Sequence, residues 1–442
     1  MAERQATAIR SDLARCAAMI LVGIGFSIVG ISPIHADQQA GKAMDERRAD
    51  RGAETERAVR RHLERATRSV EAWLDVRWKG WLRGQGFERP RQILAYTGFG
   101  NGRRVWLRGR VLANRRTTGP GDDDRWWDNL LQSYQRWESD EIPDARLKIS
   151  MADQIAEVRT DEEGFYEVDL AYAPGSTEET WHFATVELLD DPSGLRTVQS
   201  ILVPGVSASF GVISDLDDTV IHTGVTNLLT AARLTFLGNA KTRKPLAGVA
   251  AFYRALREAS PTGGQNPVFY VSSSAWNLYD LLRDFLALNE VPAGPLLLRD
   301  LGVDDQKFIK EKGHDHKLDK VERILATYPS LPFVLIGDSG QADPQLYLEA
   351  ARRHGDRIRA IYIRDVDPGE STPRDLATDR AAEEARSIGT PMMRADDSLA
   401  MARHAASIGL VEESWIPRIG EEVKRDLERA AEFGGLYALR AE

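Results

Sequence analysis

The residues of this chain that could do chemistry fall at the ends of apolar runs. Phe210–Ile213 leads into Ser214-Asp215-Leu216-Asp217-Asp218-Thr219. Two carboxylates one residue apart, at the tip of a buried strand, are costly unless a cation neutralises them. A calcium-binding EF-hand loop also opens with this pattern. Here its sixth position is Val220 instead of glycine and a buried strand precedes it, which argues against that loop. Taken alone, the motif also fits a solvated Asx-turn. A second run, Phe333–Ile336, ends in Gly337-Asp338-Ser339-Gly340-Gln341-Ala342-Asp343. A glycine-flanked acid at a strand tip, with another acid five residues on, is a hard-cation site by its chemistry. A third run, Val268–Val271, enters Ser272-Ser273-Ser274, whose hydroxyls and backbone N–H groups suit a phosphate at a helix start. Serines also cap helices with no ligand present. Lys317 and Lys320 open a further helix, and either can reach back to a phosphate or lie on the surface.

These residues need a scaffold that brings strand tips together. The runs Phe210–Ile213, Val268–Val271, Leu296–Leu298, Phe333–Ile336 and Ile358–Ile363 are short enough for parallel strands buried on both faces. Helical stretches separate them, among them Val249–Glu258, Leu278–Leu288 and Leu318–Tyr328. Strand–helix alternation predicts a doubly wound α/β domain, which binds ligands at the carboxyl ends of its strands. The segment before it reads as β-structure. Val105, Leu107 and Val111 alternate with Arg108 and Arg110, and Thr160–Gly164 supplies a turn before the strand Phe165–Leu170. Trp181–Leu188 and Val198–Val203 add strands, so a small β-sandwich is expected. An insertion over Thr117–Pro143, with a helix over Trp126–Trp137, interrupts it.

The chain has 442 residues, long enough for two or three domains, and 42% hydrophobic against 28% charged residues is ordinary for a globular protein. A formal charge of −9 argues against a general nucleic-acid binder. Arg4, Arg10 and Arg15 precede an apolar run from Ala17 to Ile31, and Ile34-His35-Ala36 offers a cleavage site, so residues 1–36 read as an export signal. An uncleaved anchor is the alternative. The single cysteine, Cys16, lies inside that signal, so the mature protein is expected to hold none. Val59, Leu63, Ala66, Val70, Trp73 and Leu74 mark an amphipathic helix rich in arginine, expected to pack on the protein more than on an anionic membrane. The tail after residue 370 is charged and mostly helical, with Ser398–Leu410 amphipathic. His222 and His314-Asp315-His316 are weak evidence for zinc, because no cysteine accompanies them.

Taken in order, DLDDT, a strand ending in serine, a lysine and GDSGQAD resemble the four signature motifs of the haloacid dehalogenase-like (HAD) phosphatases. ISDLDDTVIHTGV, FYVSSSAWNLYDLL, GPLLLRD, HKLDKVERIL and FVLIGDSGQADP resemble more closely the phosphatidate phosphatase catalytic domain family first known from a fungal actin-patch protein. ILAYTGFG and VWLRGRVL are similar to what precedes that domain in bacterial relatives. The resemblance implies an HAD-like catalytic domain over 206–370 with little or no cap. Around it are expected the signal over 1–36, a charged amphipathic helical segment over 37–90, the β-sandwich over 91–205 and a helical segment over 371–442.

By the same resemblance, Asp215 attacks phosphorus and becomes an aspartyl-phosphate, while Asp217 protonates the leaving oxygen and then activates water. Magnesium is held by Asp215, the Asp217 carbonyl and Asp338, with Asp343 close by. Thr219, Ser272 and Lys317 bind the phosphoryl oxygens, Lys317 being preferred to Lys320, and which of Ser272, Ser273 and Ser274 serves stays open. The implied activity is magnesium-dependent phosphomonoester hydrolysis, with phosphatidate as substrate and peripheral membrane contact, and the export signal makes a periplasmic or envelope-associated location the expectation. The apolar residues Val225, Leu228, Leu229, Leu234, Phe236 and Leu237 either meet acyl chains or pack as an ordinary helix. The rival readings are an HAD phosphatase acting on a non-lipid ester and a non-catalytic envelope-binding protein.

Overall fold

The computed structural model describes residues 90–113, 140–173, 178–216, 219–220, 247–299, 315–369 and 372–438, with backbone alone at 140, 315 and 429–438. The export signal, the arginine-rich helix, the helix expected over Trp126–Trp137, Asp217, His222, His314 and the apolar stretch Val225–Leu237 lie outside them. No helix of the described residues is long and apolar enough to cross a membrane.

Two sheets organise the described chain. The first comprises β1 (Arg91–Ala95), β2 (Gly98–Gly100), β3 (Arg104–Ala113), β4 (Asp140–Glu141), β5 (Arg146–Met151), β6 (Gln154–Arg159), β7 (Phe165–Ala171), β8 (Trp181–Leu188) and β9 (Arg196–Leu202). Its order is β1-β3-β2-β9-β8-β5-β6, with β4 and β7 also on β3, and it is antiparallel except for the β2–β9 pair. The alternation expected from one buried face is clearest in β8. His182, Ala184, Val186 and Leu188 are buried there, while Phe183 and Thr185 face solvent. The turn before β7 forms as expected. The Asp161 carboxylate accepts the N–H groups of Glu163 (3.0 Å) and Phe165 (2.8 Å), and Gly164 takes a left-handed φ of 78°.

The second sheet is parallel, with β10 (Gly211–Asp215), β11 (Val268–Ala275), β12 (Leu296–Arg299), β13 (Phe333–Asp338), β14 (Ile358–Arg364) and β15 (Met392–Ala395). The five strands expected from the apolar runs are all present, and every residue of β10 and β13 is buried. The expected helices lie at Val249–Glu258, Tyr279–Leu288 and Asp315–Thr327. Beyond residue 371 the described chain forms helices Pro373–Ser387, Ser398–Ser407 and Trp415–Ala438, and also the edge strand β15, which the mostly helical reading of the tail missed. Met392–Ala395 is four residues long and buried only at its ends, so it carries neither the period nor the length of a strand signal.

The sheets share a core. Val105, Leu107, Val111, Leu147, Ile149 and Val186 pack within the antiparallel unit. Tyr96, Phe99, Trp106, Phe165 and Leu202 instead join the core of the parallel unit. Phe99 lies edge-on to Phe269 of β11, with ring centroids 5.8 Å apart.

Candidate active site

The strand order of the parallel sheet is β12-β11-β10-β13-β14-β15. From β10 the chain steps outward through β11 to β12, then returns to the other side of β10 for β13 and steps outward again. The direction therefore reverses between β10 and β13, and ligands of open α/β sheets bind in the crevice outside the carboxyl ends at such a point. β10 ends in Asp215 and β13 ends in Asp338.

The third acid, Asp343, opens the helix Asp343–His354, whose first turn also holds Pro344. A carboxylate is favoured at that end of the helix dipole. Asp343 folds back towards the strand tip, where its Oδ2 accepts the Asp338 N–H at 3.2 Å. Gly337 makes this approach feasible. A Cβ there would stand 2.4 Å from Asp343 Oδ2 and 2.8 Å from the Tyr347 ring. Asp215, Asp338 and Asp343 are each fully buried, and one oxygen from each lies within 4.8 Å of the others.

A cation faces this cluster. Lys317, 3% exposed in the first turn of the helix Asp315–Thr327, places Nζ 2.9 Å from Asp215 Oδ1 and pairs with Asp343 Oδ1 as well. Burial pulls its pKa down, but Asp215, Asp343 and Asp338 together outweigh that and hold it above the ordinary lysine value. Among the described residues, three buried carboxylates around the Lys317 ammonium leave an excess of negative charge in a site of hard oxygen donors, which fits a divalent cation.

The other expected residues are placed as follows. Ser272 is fully buried at the end of β11, where its Oγ accepts the Ser274 N–H at 2.9 Å; Ser273 faces solvent. Thr219 is buried, and its Oγ1 has no hydrogen-bond partner among the described residues. Lys320 donates to the Ser272 carbonyl at 3.1 Å, while Lys317 pairs with Asp215 and Asp343. Asp365, at the tip of β14, is held by Arg394 of β15. Among the described residues, the two clusters able to hold a metal consist of aspartates, and His316 lies 3.4 Å from Ser273 Oγ.

Sequence reasoning passed over Gln341. Its Nε2 donates to Asp215 Oδ2 (3.3 Å) and Asp338 Oδ2 (3.1 Å), and its N–H donates to Asp338 Oδ1 (2.9 Å). It bridges the two strand tips. The only signal was its place between Asp338 and Asp343 in the fourth motif. Ser214 and Tyr253 went equally unnoticed. Their hydroxyls lie 2.6 Å apart beneath Asp215, and Ser214 Oγ also donates to the Asp215 carbonyl at 2.6 Å.

Fold and site together define a parallel α/β unit with an acid cluster at its switch point. Residues 210–365 match the family model described as phosphatidate phosphatase APP1, catalytic domain, which bears out the resemblance drawn from the motifs. Phosphatidate phosphatase APP1 of Saccharomyces cerevisiae is 32% identical over 155 residues, 35% of this chain and 25% of that protein. An uncharacterized protein of Schizosaccharomyces pombe is 28% identical over 248 residues, 53% of this chain and 40% of that one. The chain thus spans between a quarter and two-fifths of the length of these relatives. Among solved structures, a carbohydrate acetylesterase from Xanthomonas citri overlays with a TM-score of 0.24 at 13% identity, over 68% of this chain and 75% of that one. That score is too low to carry an argument.

Proposed function

We propose that this protein is a phosphomonoester hydrolase whose substrate is a lipid phosphate of the phosphatidate type. The observation that carries this reading is the meeting of Asp215, Asp338, Asp343 and Lys317 at the switch point of the segment that matches the family. In this reading the parallel unit is an HAD-like domain with little or no cap, residues 91–205 form a sandwich-like partner, and the protein works outside the cytoplasm after export.

Asp215 is the nucleophile. Its carboxylate attacks phosphorus in line, forming an aspartyl-phosphate as the bond to the leaving oxygen breaks. Asp217 supplies the proton that this oxygen takes up, then accepts one from the water that hydrolyses the acyl phosphate. Lys317 offsets charge beside Asp215 and orients one of its oxygens. Lys317 Nζ donates to Asp343 and forms an ion pair with Asp215, and an ammonium has three donors, so one can turn to a phosphoryl oxygen. Gln341 fixes the other oxygen of Asp215, so the nucleophile is held before substrate arrives. Ser272 and Thr219 complete the phosphoryl pocket, the Thr219 hydroxyl, unpartnered among the described residues, being a donor in waiting. Asp215, Asp338 and Asp343 would hold magnesium, with the Asp217 carbonyl as a further ligand. When bound, the ion offsets charge on the phosphoryl group.

Phosphate release from dioleoyl phosphatidate in detergent micelles with magnesium tests this, comparing the chain with its Asp215→Asn variant. The variant should lose at least about 10³-fold in rate, as expected for a covalent nucleophile. Release from para-nitrophenyl phosphate but not from phosphatidate would keep the chemistry and remove the lipid. No release from either ester would remove the hydrolase.

A further inference from the structure

The serine segment at the end of β11 is held by the antiparallel unit. Val271 pairs with Leu297 and Ala275 with Arg299, so Ser272–Ser274 of β11 stand opposite the single residue Leu298. This is a bulge, a device that re-aims side chains beside functional sites. Lys320 anchors its upstream end through the Ser272 carbonyl.

The downstream end is gripped from outside the parallel unit. Trp276 stacks on Tyr96 with centroids 4.6 Å apart and planes at 20°. Asn277 Oδ1 accepts an N–H from Arg110 at 2.7 Å. Arg110 is 8% exposed, and its other donors go to the Glu163 carbonyl (2.8 Å) and Glu141 Oε1 (3.0 Å). Its guanidinium also lies over the Phe165 ring, 4.6 Å from the centroid. One planar fork thus ties β3, the turn before β7 and β4 to the residue three positions after Ser274. No ammonium can reproduce these divergent bonds.

We propose that Arg110 is a positioning residue for phosphate, acting through Asn277 and Trp276 to fix the Ser272–Ser274 bulge. The antiparallel unit is then part of the catalytic apparatus and not a separate recruitment module. This rests on the hydrolase reading above, in which the bulge binds the phosphoryl group.

The test uses the full chain with Arg110→Ala, Arg110→Lys, Asn277→Ala and the double alanine variant. The readouts are the Ki of inorganic orthophosphate against para-nitrophenyl phosphate hydrolysis, and amide exchange across residues 271–276. Asn277→Ala is the mild member, since Asn277 is solvent-facing and its loss leaves the core intact. The expected result is a rise in orthophosphate Ki of roughly tenfold for each single variant, given the sensitivity of positioned groups to small displacements. The double variant should be no worse than the poorer single, and lysine should fail to restore affinity. Amide exchange at 272–275 should quicken in parallel. Lower thermal stability with Ki and exchange at 272–275 unchanged would overturn the proposal. If the parent chain hydrolyses nothing, the hydrolase reading falls, and amide exchange alone decides whether Arg110 holds the bulge.

Discussion

The two sheets bury their residues in different ways. In the parallel sheet β10 and β13 are buried at every position, so their polar side chains gather at the carboxyl end, Ser214 and Asp215 in β10 and Asp338 in β13. In the antiparallel sheet β8 is buried at every second position and β6 alternates half-buried with exposed residues, so Glu157, Arg159 and Glu187 lie on outer faces along the strands. A strand covered on both faces can present a polar group only at its tip. A strand covered on one face can present it anywhere. Acids that must converge are therefore found at the tips of the parallel sheet, while the antiparallel sheet contributes from its inner edge, through Tyr96, Phe99, Trp106 and Arg110.

Substitutions in each region sharpen this contrast. The largest effect is expected where the two cores fuse. Phe99→Ala removes a fully buried ring that touches Trp106 and Phe269, and should cost about 3–5 kcal/mol in denaturant unfolding. A loss below about 1 kcal/mol would mean that the sheets are energetically separate. Gly337→Ala should cost about 1–3 kcal/mol by overpacking. It should also weaken magnesium activation, because the new methyl displaces Asp343 from the Asp338 N–H. Unchanged stability and activation would show that the strand tip tolerates a shift.

A smaller effect belongs to His404, whose pKa is lowered by burial beside Tyr362. The unfolded chain therefore takes up a proton more readily than the folded one. The sign follows: stability falls as pH drops below the ordinary histidine value, and the fall ends below the depressed folded pKa. Between pH 7.5 and 5.5, His404→Gln should reduce the acid-induced drop in Tm by on the order of 2 °C. An identical drop in both proteins would assign it to other groups. Least of all should follow from Phe183→Ser on the outer face of β8, where the side chain is 60% exposed. Its stability should stay within about 0.5 kcal/mol of the parent. A larger loss would mean that something covers that face.

The same contrast explains what could be read in the sequence. Two-sided burial writes a strand as an unbroken apolar run, and five of the six parallel strands were legible for that reason. β15 was not, because an edge strand of four residues that is half covered leaves no such run. Asp215, Asp338 and Asp343 stood out because acids are conspicuous after apolar runs. Gln341 and Arg110 did not. Glutamine and arginine are ordinary at surfaces, and only the fold shows that one bridges two strand tips while the other is buried between two sheets.

The bridge made by Gln341 also has a temporal meaning. It joins residues 126 positions apart in the chain, across a parallel pairing that forms only after at least three helices and two other strands of the described chain have intervened. Such distant closures are slow, because the entropy of the loop is lost before the contact is gained. Until β10 and β13 lie side by side, the acids sit on separate pieces of chain and offer no nest for an ion. An ion that binds only the closed arrangement stabilises it by mass action. In the proposed hydrolase, ion uptake would then mark the moment at which folding is finished, so that reactive centre and final stability would arrive in the same event.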